Sequence, residues 1–453
     1  MVQESGLVCS VCGTVNDKKA KFCNECGNKL KQEKACLVCE KNTKEQDITD
    51  NTLGSELMAD DFDFRHEFGE NQKAFGGFVN REEINIIIFS DKMNEVPDDA
   101  WDVSSKHDGS VMAYIRNTSD LTELIIVGEK GVRANPNCSC LFGGYKKLLQ
   151  INFNGCFDTS RVESMYRMFS KCEQLEKLDV SEFDTRKVKN MQRMFFRCEN
   201  LKTINVSGFD TSQVTKMESM FSCCKRLKQL DISRFDTSQV TDMEGMFSGC
   251  EQIEQLDISV FDTSQVTDMA FMFSGCKRLK QLDISRFDTS QVTDMENMFE
   301  DCRQLRQLDI SGFDTSQVTN MRFMFDGCKQ LKQLDISGFD TSQVTDMQYM
   351  FNDCRRLKQL DVSGFDTSQV TNMNFMFKDC KQLKQLDISG FNISRITSLG
   401  DMWGTFAGCE QLKQLDISGF DINQITDKKY MFDGCSNMEV CVWIPLAWLQ
   451  RLF

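Results

Sequence analysis

Three scarcities bound what this chain can be. Of 453 residues only 3 are proline and 27 glycine, so collagen-like and Pro/Gly low-complexity chains are excluded. Only two histidines occur, His66 and His107, leaving little material for imidazole acid–base or metal chemistry. No apolar run approaches the ~18 residues of a membrane helix, and the longest, Cys441 to Leu449, is interrupted by Pro445. The start, Met1-Val2-Gln3-Glu4-Ser5, lacks the basic-then-apolar pattern of a signal peptide. A cytoplasmic protein without membrane insertion is therefore expected. Positive charge is also in deficit: 53 Lys and Arg against 68 Asp and Glu give a net −15. As a whole such a chain repels phosphate backbones and anionic membranes.

What the sequence does have is cysteine, 22 in all, in two patterns. Cys9-x2-Cys12 and Cys23-x2-Cys26 form two knuckles able to set four thiolates around a single structural Zn²⁺. Gly13 and Gly27 follow them, where a tight turn needs backbone freedom. Lys21-Phe22-Cys23 and Cys26-Gly27-Asn28-Lys29-Leu30 resemble the second half of the short zinc ribbons of bacterial proteins. A third pair, Cys36 and Cys39, has no partner pair downstream. It is a relic half-ribbon, an additional ligand pair or a redox dithiol. The other pattern is a cysteine every 26 residues, from Cys172 to Cys380.

That spacing belongs to a repeat. Phe-Asp recurs from Phe157 to Phe365 at intervals of 26 residues, and Phe391-Asn392 and Phe420-Asp421 continue it, making eleven coils. Leu227, Leu230, Ile232 and Phe235 have leucine-rich-repeat spacing and predict a strand at Leu230–Ser233. Met243, Met246, Phe247 and Cys250 fall at i, i+3, i+4 and i+7, which predicts one face of a short helix. Thr241 and Glu244 have capping-box spacing, as do Thr215/Glu218 and Thr293/Glu296. Asp236, with Asn392 in the equivalent slot, suits an Asx turn. Each coil thus reads as strand, turn and short helix, and stacking them gives an α/β solenoid. The Met, Phe and Cys stripes read as core. The strand aspartates, Asp231 and its equivalents, are expected to pair with the neighbouring lysine row.

The predicted organisation is a zinc ribbon over 1–40, an acidic flexible linker over 41–77, and a β-rich cap over 78–140. The cap is carried by the apolar runs Ile86–Phe89 and Leu124–Val127. The solenoid occupies 141–437, with a C-terminal cap over 438–453 that covers its open end.

The repeat Met-Phe-x-x-Cys-x-x-Leu-x-x-Leu-Asp-Ile-Ser-x-Phe-Asp-Thr-Ser-x-Val-Thr resembles that of the BspA-type leucine-rich-repeat surface proteins of bacteria. Trp101-Asp102-Val103-Ser104 and Asp108-Gly109-Ser110-Val111 resemble the segment that precedes such repeats. The resemblance implies a binding protein rather than an enzyme, with adhesion at the cell surface as an alternative to a cytoplasmic scaffold. A nucleic-acid-associated zinc-ribbon factor is a further alternative. The acidic balance argues against it, although residues 1–50 alone are neutral, with eight Lys against eight Asp and Glu.

A binding surface for a protein partner is expected at the residue two after the first methionine of each coil, turned ~200° from the core face of a helix. Arg193, Ser219, Gly245 and Asn297 fill it in some coils; Phe271, Phe323, Tyr349 and Phe375 fill it in others. For the zinc ribbon, the expected outcome is a single tightly held zinc per chain by elemental analysis. Replacing Cys9 and Cys26 together by serine should remove that zinc and leave repeat unfolding unchanged; zinc retained by the double variant would refute the assignment.

Overall fold

The computed structural model describes residues 7–8, 15–16, 54–58, 73–77, 79–396, 402–417 and 430–438. The chain divides into two units, Met1–Thr52 and Leu53–Phe453. In the first, β1 (Leu7–Val8) pairs antiparallel with β2 (Val15–Asn16), and Cys9 and Cys12 fall between them in sequence. Those two, together with Cys23, Cys26, Cys36 and Cys39, lie outside the described residues.

The second unit opens with β3 (Ser55–Glu56), β4 (Ile86–Ser90), β5 (Trp101–Asp102), β6 (Val111–Asn117), β7 (Thr122–Gly128), β8 (Val132–Arg133), β9 (Gln150–Asn152) and β10 (Phe157–Asp158). They make a five-stranded sheet of order β5-β6-β7-β4-β9 and a parallel three-stranded sheet of order β10-β8-β3. The expected runs at Ile86 and Leu124 are thus the paired strands β4 and β7. Leu124–Val127 is buried on both faces, which suits a central strand with a continuous apolar run. The stretch expected to be a flexible linker, 41–77, is corrected in its C-terminal part. β3 pairs with β8, and Leu57, Ala74 and Phe75 are buried in the core; isolated apolar residues without period gave no signal of this. Arg81, itself buried, ties this region to the first coil: its Nη1 donates to the carbonyls of Cys140 (2.9 Å) and Gly143 (2.6 Å).

From Asn137 to Asn372 successive coils pair in parallel, 27 residues apart at the first step and 26 at every later one. Bridges link Asn137, Ser164, Asn190, Lys216 and Asp242 in turn and continue unbroken to Asn372. The expected helix is absent: the described residues contain no α-helix, and Met243–Cys250 is a succession of turns. Its N–H groups alternate between two sets of acceptors. Those of Met243, Gly245, Phe247 and Gly249 donate to Asp268, Ala270, Met272 and Ser274 of the next coil at 2.6–3.1 Å. Those of Met246, Ser248 and Cys250 donate three residues back within their own coil, at 3.0–3.1 Å. Two residues per coil, at the positions of Gly245 and Gly249, have φ near +60°, which no right-handed helix accommodates. Met243, Met246, Phe247 and Cys250 are nevertheless all buried, so the core assignment stands while the backbone path does not. Phe221, Phe247, Phe273, Phe299, Phe325 and Phe351 stack ring on ring, centroids 5.6–6.0 Å apart.

The capping boxes are also corrected. Thr241 N–H donates across to the Thr215 carbonyl (3.1 Å), and Glu244 N–H bonds the Asp242 carboxylate (3.0 Å). With no helix there is no terminus to cap. The strand expected at Leu230–Ser233 belongs to no ladder; among the described residues of that edge, short strands form at β11 (Lys177–Asp179) with β12 (Thr203–Asn205) and at β13 (Gln385–Asp387) with β14 (Gln414–Asp416), and a lone bridge joins Gln255 and Gln281. The Asp231 carboxylate instead accepts from the Ser233 N–H (3.2 Å) and hydroxyl (2.7 Å). The Asx turn holds: Ser238 N–H reaches Asp236 Oδ1 at 3.0 Å, and Ser394 N–H reaches Asn392 at 2.9 Å.

Beside that turn lies a device the sequence reading missed. The buried Thr237 hydroxyl donates to the Asp262 carbonyl and accepts from the Asp262 N–H of the next coil, both at 2.8 Å. Equivalent threonine-to-carbonyl links run from Thr159 to Thr367. Thr237→Val keeps the shape but orphans two buried backbone groups, each worth about 1–3 kcal/mol. The expected outcome is faster amide exchange at Asp262 and its neighbours and a lower urea midpoint, with Thr237→Ser close to wild type. Loss in Thr237→Ser with Thr237→Val close to wild type would instead place the effect in the methyl group.

Candidate partner-binding face

The slot chosen for partner contact faces outward for a reason other than helical geometry. Phe271, Phe323, Tyr349 and Phe375 all have φ of 56–58°, so each sits at the left-handed turn residue of its coil. The structure brings three of them together. Phe323 stacks on Tyr349 and Tyr349 on Phe375, each at 4.7 Å between ring centroids. All three are half-buried. Phe271 stands apart, because Gly245 and Asn297 occupy the slot in the coils on either side. Cations bracket the row: the Arg322 guanidinium lies 4.8 Å from the Phe323 ring and the Lys378 ammonium 5.2 Å from that of Phe375.

Two further aromatics extend this face and escaped the sequence reading. Gly404 fills the slot after Phe375, at φ +59°, and a Cβ there would meet the Phe375 ring at 2.6 Å. The ring therefore lies over the glycine. Trp403, beside it, stacks on Tyr430 at 4.9 Å, and these are among the few exposed large apolar side chains, 45% and 38% accessible. The three-residue insertion before Met402 shifts the period and hides them. Aligning Met402 with Met373 would have put Gly404, and then Tyr430, in register.

The cysteine ladder is core, as expected, with an added polar role. The Cys250 thiol donates to the Phe221 carbonyl of the preceding coil at 3.2 Å, a contact repeated from Cys172 to Cys435. Burial pushes the Cys198 and Cys276 thiols up to about 12, so they stay protonated and can donate. Among the described residues no cluster of three or more His, Cys, Asp or Glu is placed to hold a metal. The expected pairing of strand aspartates with lysines is corrected: Asp231, Asp257 and Asp335 turn onto their own serines, whose hydroxyls and N–H groups hold these carboxyls below their usual range. Of that lysine row, Lys280 pairs instead with Glu254 at 2.6 Å.

These features define a repeat protein. The chain belongs to the family described as Mycoplasma protein of unknown function, DUF285, which matches it over residues 137–255, 224–333, 303–404 and 358–443. No curated protein matches the chain. No helix among the described residues is long and apolar enough to cross a membrane.

One carboxyl near the aromatic row is displaced from its ordinary range. Burial pushes Asp326 up to about 6, with Glu300, Asp301 and Asp353 adding to the shift, although the Asn352 amide donates to it at 2.7 Å. A folded-state value above the unfolded one means the fold holds this proton more tightly. Its contribution is then favourable at low pH and is lost as pH rises from about 4 through about 6. Asp326→Asn should raise the melting temperature at pH 7.5, with the gain shrinking to nothing at pH 4; a gain independent of pH would refute the assignment.

Proposed function

We propose that the chain is a non-enzymatic protein-interaction scaffold. In this reading its repeats form a leucine-rich-repeat-like solenoid of the kind they resemble. A zinc ribbon on Cys9, Cys12, Cys23 and Cys26 precedes it, and the aromatic row receives a partner protein. The observation that carries the reading is large aromatics in left-handed backbone. A non-glycine residue there costs about 1–2 kcal/mol, and Ser219, Gly245 and Asn297 fill the same slot elsewhere. Ring stacking returns about 0.5–1.5 kcal/mol per contact, which offsets the strain without a surplus. Folding alone thus gives no reason for three consecutive rings leading to an exposed Trp403–Tyr430 pair. A row of rings at the surface suits a protein interface, whose centre is enriched in aromatic side chains.

A cell-surface adhesin is the second reading, and it rests on the resemblance of the repeats to the BspA type. Protease shaving of intact cells separates it from the cytoplasmic scaffold. For the row itself the test is the variant Phe323→Asn, Tyr349→Asn, Phe375→Asn, since Asn297 already occupies that slot. Proteins retained from lysate by the wild-type chain should be lost by the triple variant, with the melting temperature shifted by no more than about 2 °C. Undiminished capture, or a large fall in melting temperature, would make the row structural.

A further inference from the structure

A second surface, built from a different slot of the repeat than the aromatic row, has charge of the sign the whole chain lacks. The residue after the first leucine of Leu-Lys-Gln-Leu-Asp is a cation in most coils, Lys228, Lys280 and Lys332 among them, and an acid at Glu176 and Glu254. In the N-terminal coils acids neutralise this region: Glu176 pairs with Lys202, Glu199 with Lys225, and Glu254 with both Arg278 and Lys280. After Glu254 the row continues as Arg306, Lys332, Lys358, Lys384 and Lys413, all exposed. None of these five has an ion-pair partner among the described residues. Beside them the surface dips into a groove of about 710 Å³ whose described walls carry Lys329, Arg355, Arg356, Lys358, Lys381 and Lys384 against one acid, Glu410. Lys329, Arg355 and Lys381 are partly engaged by Asp353 and Glu410. Arg356, Lys358 and Lys384 are not.

We propose that this groove binds a linear acidic polysaccharide bearing carboxylate or sulfate groups. The ridge next to the cations is neutral and amphoteric, Gln359 and Gln385, and the ridge beyond it is the aspartate row, Asp335 and Asp361. Side-chain and backbone groups of Ser337 and Ser363 hold those two carboxyls below their usual range, so they are anionic acceptors at neutral pH. The cross-section from cation to amide to carboxylate therefore complements a strand one sugar wide, its anions on one edge and its hydroxyl donors on the other. A nucleic-acid duplex would extend over the aspartates and be repelled. A single nucleic-acid strand needs aromatic platforms for its bases, and among the described residues no ring lines this groove. An extended acidic peptide presents same-side residues about every 6.8 Å, whereas successive coils offer cations at about 4.8 Å, so the two fall out of register within a few coils.

The test uses the full chain, with fluorescently labelled heparin and polygalacturonate oligosaccharides titrated at about 50 mM salt; the two arms distinguish sulfate from carboxylate. Saturable binding of either is expected. Arg356→Gln/Lys358→Gln/Lys384→Gln should weaken it about tenfold or more and flatten its salt dependence, as fewer counterions are released. Lys358→Gln alone should weaken it to a smaller, measurable degree. Lys202→Gln/Lys225→Gln, which removes cations already paired with glutamates, should bind as wild type. The proposal is overturned if neither polysaccharide binds, if the triple variant binds undiminished, or if the control variant loses as much affinity. It is equally overturned if oligothymidylate or polyglutamate of matched charge binds more tightly than both.

Discussion

The structure depends on one hydrogen-bonding rule, the alternation of N–H donors between a coil and its successor along Met243–Cys250 and its equivalents. Every second N–H crosses to the next coil, as Gly245 to Ala270 and Phe247 to Met272, while the others close three-residue turns at home. Such a path needs the chain to reverse its sense twice per coil, and it does so at two left-handed residues four apart: Arg193 and Arg197, Gly245 and Gly249, Tyr349 and Asp353. Each non-glycine residue there is strained, and each crossing bond repays about 0.5–1.5 kcal/mol. The threonine links and the thiol-to-carbonyl bonds add two more crossings per coil. Stability of a coil is therefore largely a property of its contacts with its neighbours, as in other repeat proteins.

This rule explains why the core was legible in the sequence and the backbone was not. Burial at Met243, Met246, Phe247 and Cys250 follows from an i, i+3, i+4, i+7 pattern whether the chain is a helix or a string of turns that reverse in step. Apolar periodicity reports which side chains face inward and is silent on which carbonyls the N–H groups choose. A signal for the turns was present in the polar positions. The second left-handed slot holds Gly249, Gly275, Gly327, Gly408 and Gly434 in some coils and Asp301, Asp353 and Asp379 in others, residue types that tolerate positive φ. The threonine link was hidden for a different reason: Asp236-Thr237-Ser238 explains itself locally as an Asx turn, and nothing local shows that Thr237 reaches a residue 25 positions on. Of the proposed site, the outward direction of Phe323, Tyr349 and Phe375 was legible, though from a helix that does not exist. Trp403 and Tyr430 were lost to the insertion.

Because the interior is nearly invariant from coil to coil, individuality can reside only in exposed slots. The left-handed slot is the most telling of these, since its backbone favours glycine and asparagine over other residues. An aromatic in it is a departure from what the local structure favours, and local rules fail most informatively at functional sites. The same logic separates Phe271 from its three counterparts: it bears the same strain without a stacking neighbour, so a row is made only where coils carry rings in succession.

Net charge is the property that such an architecture most readily misrepresents. A total of −15 describes a chain averaged over all its surfaces, whereas stacking identical coils sorts residue types into parallel ridges, one per slot. The acids of the Asp242 line run along the bridged edge, where partial burial, with Asp294 and Asp242 adding to it, holds Asp268 above its usual range. Lysines and arginines of other slots collect around the groove beside Lys358. Charges farther apart than about 8 Å are largely screened at physiological salt, so each ridge presents its own sign to a ligand. The inference from composition, that the chain repels anions, holds for its far field and fails at the groove beside Lys358. In a protein built by repetition, the electrostatics that matter for binding are those of the slot.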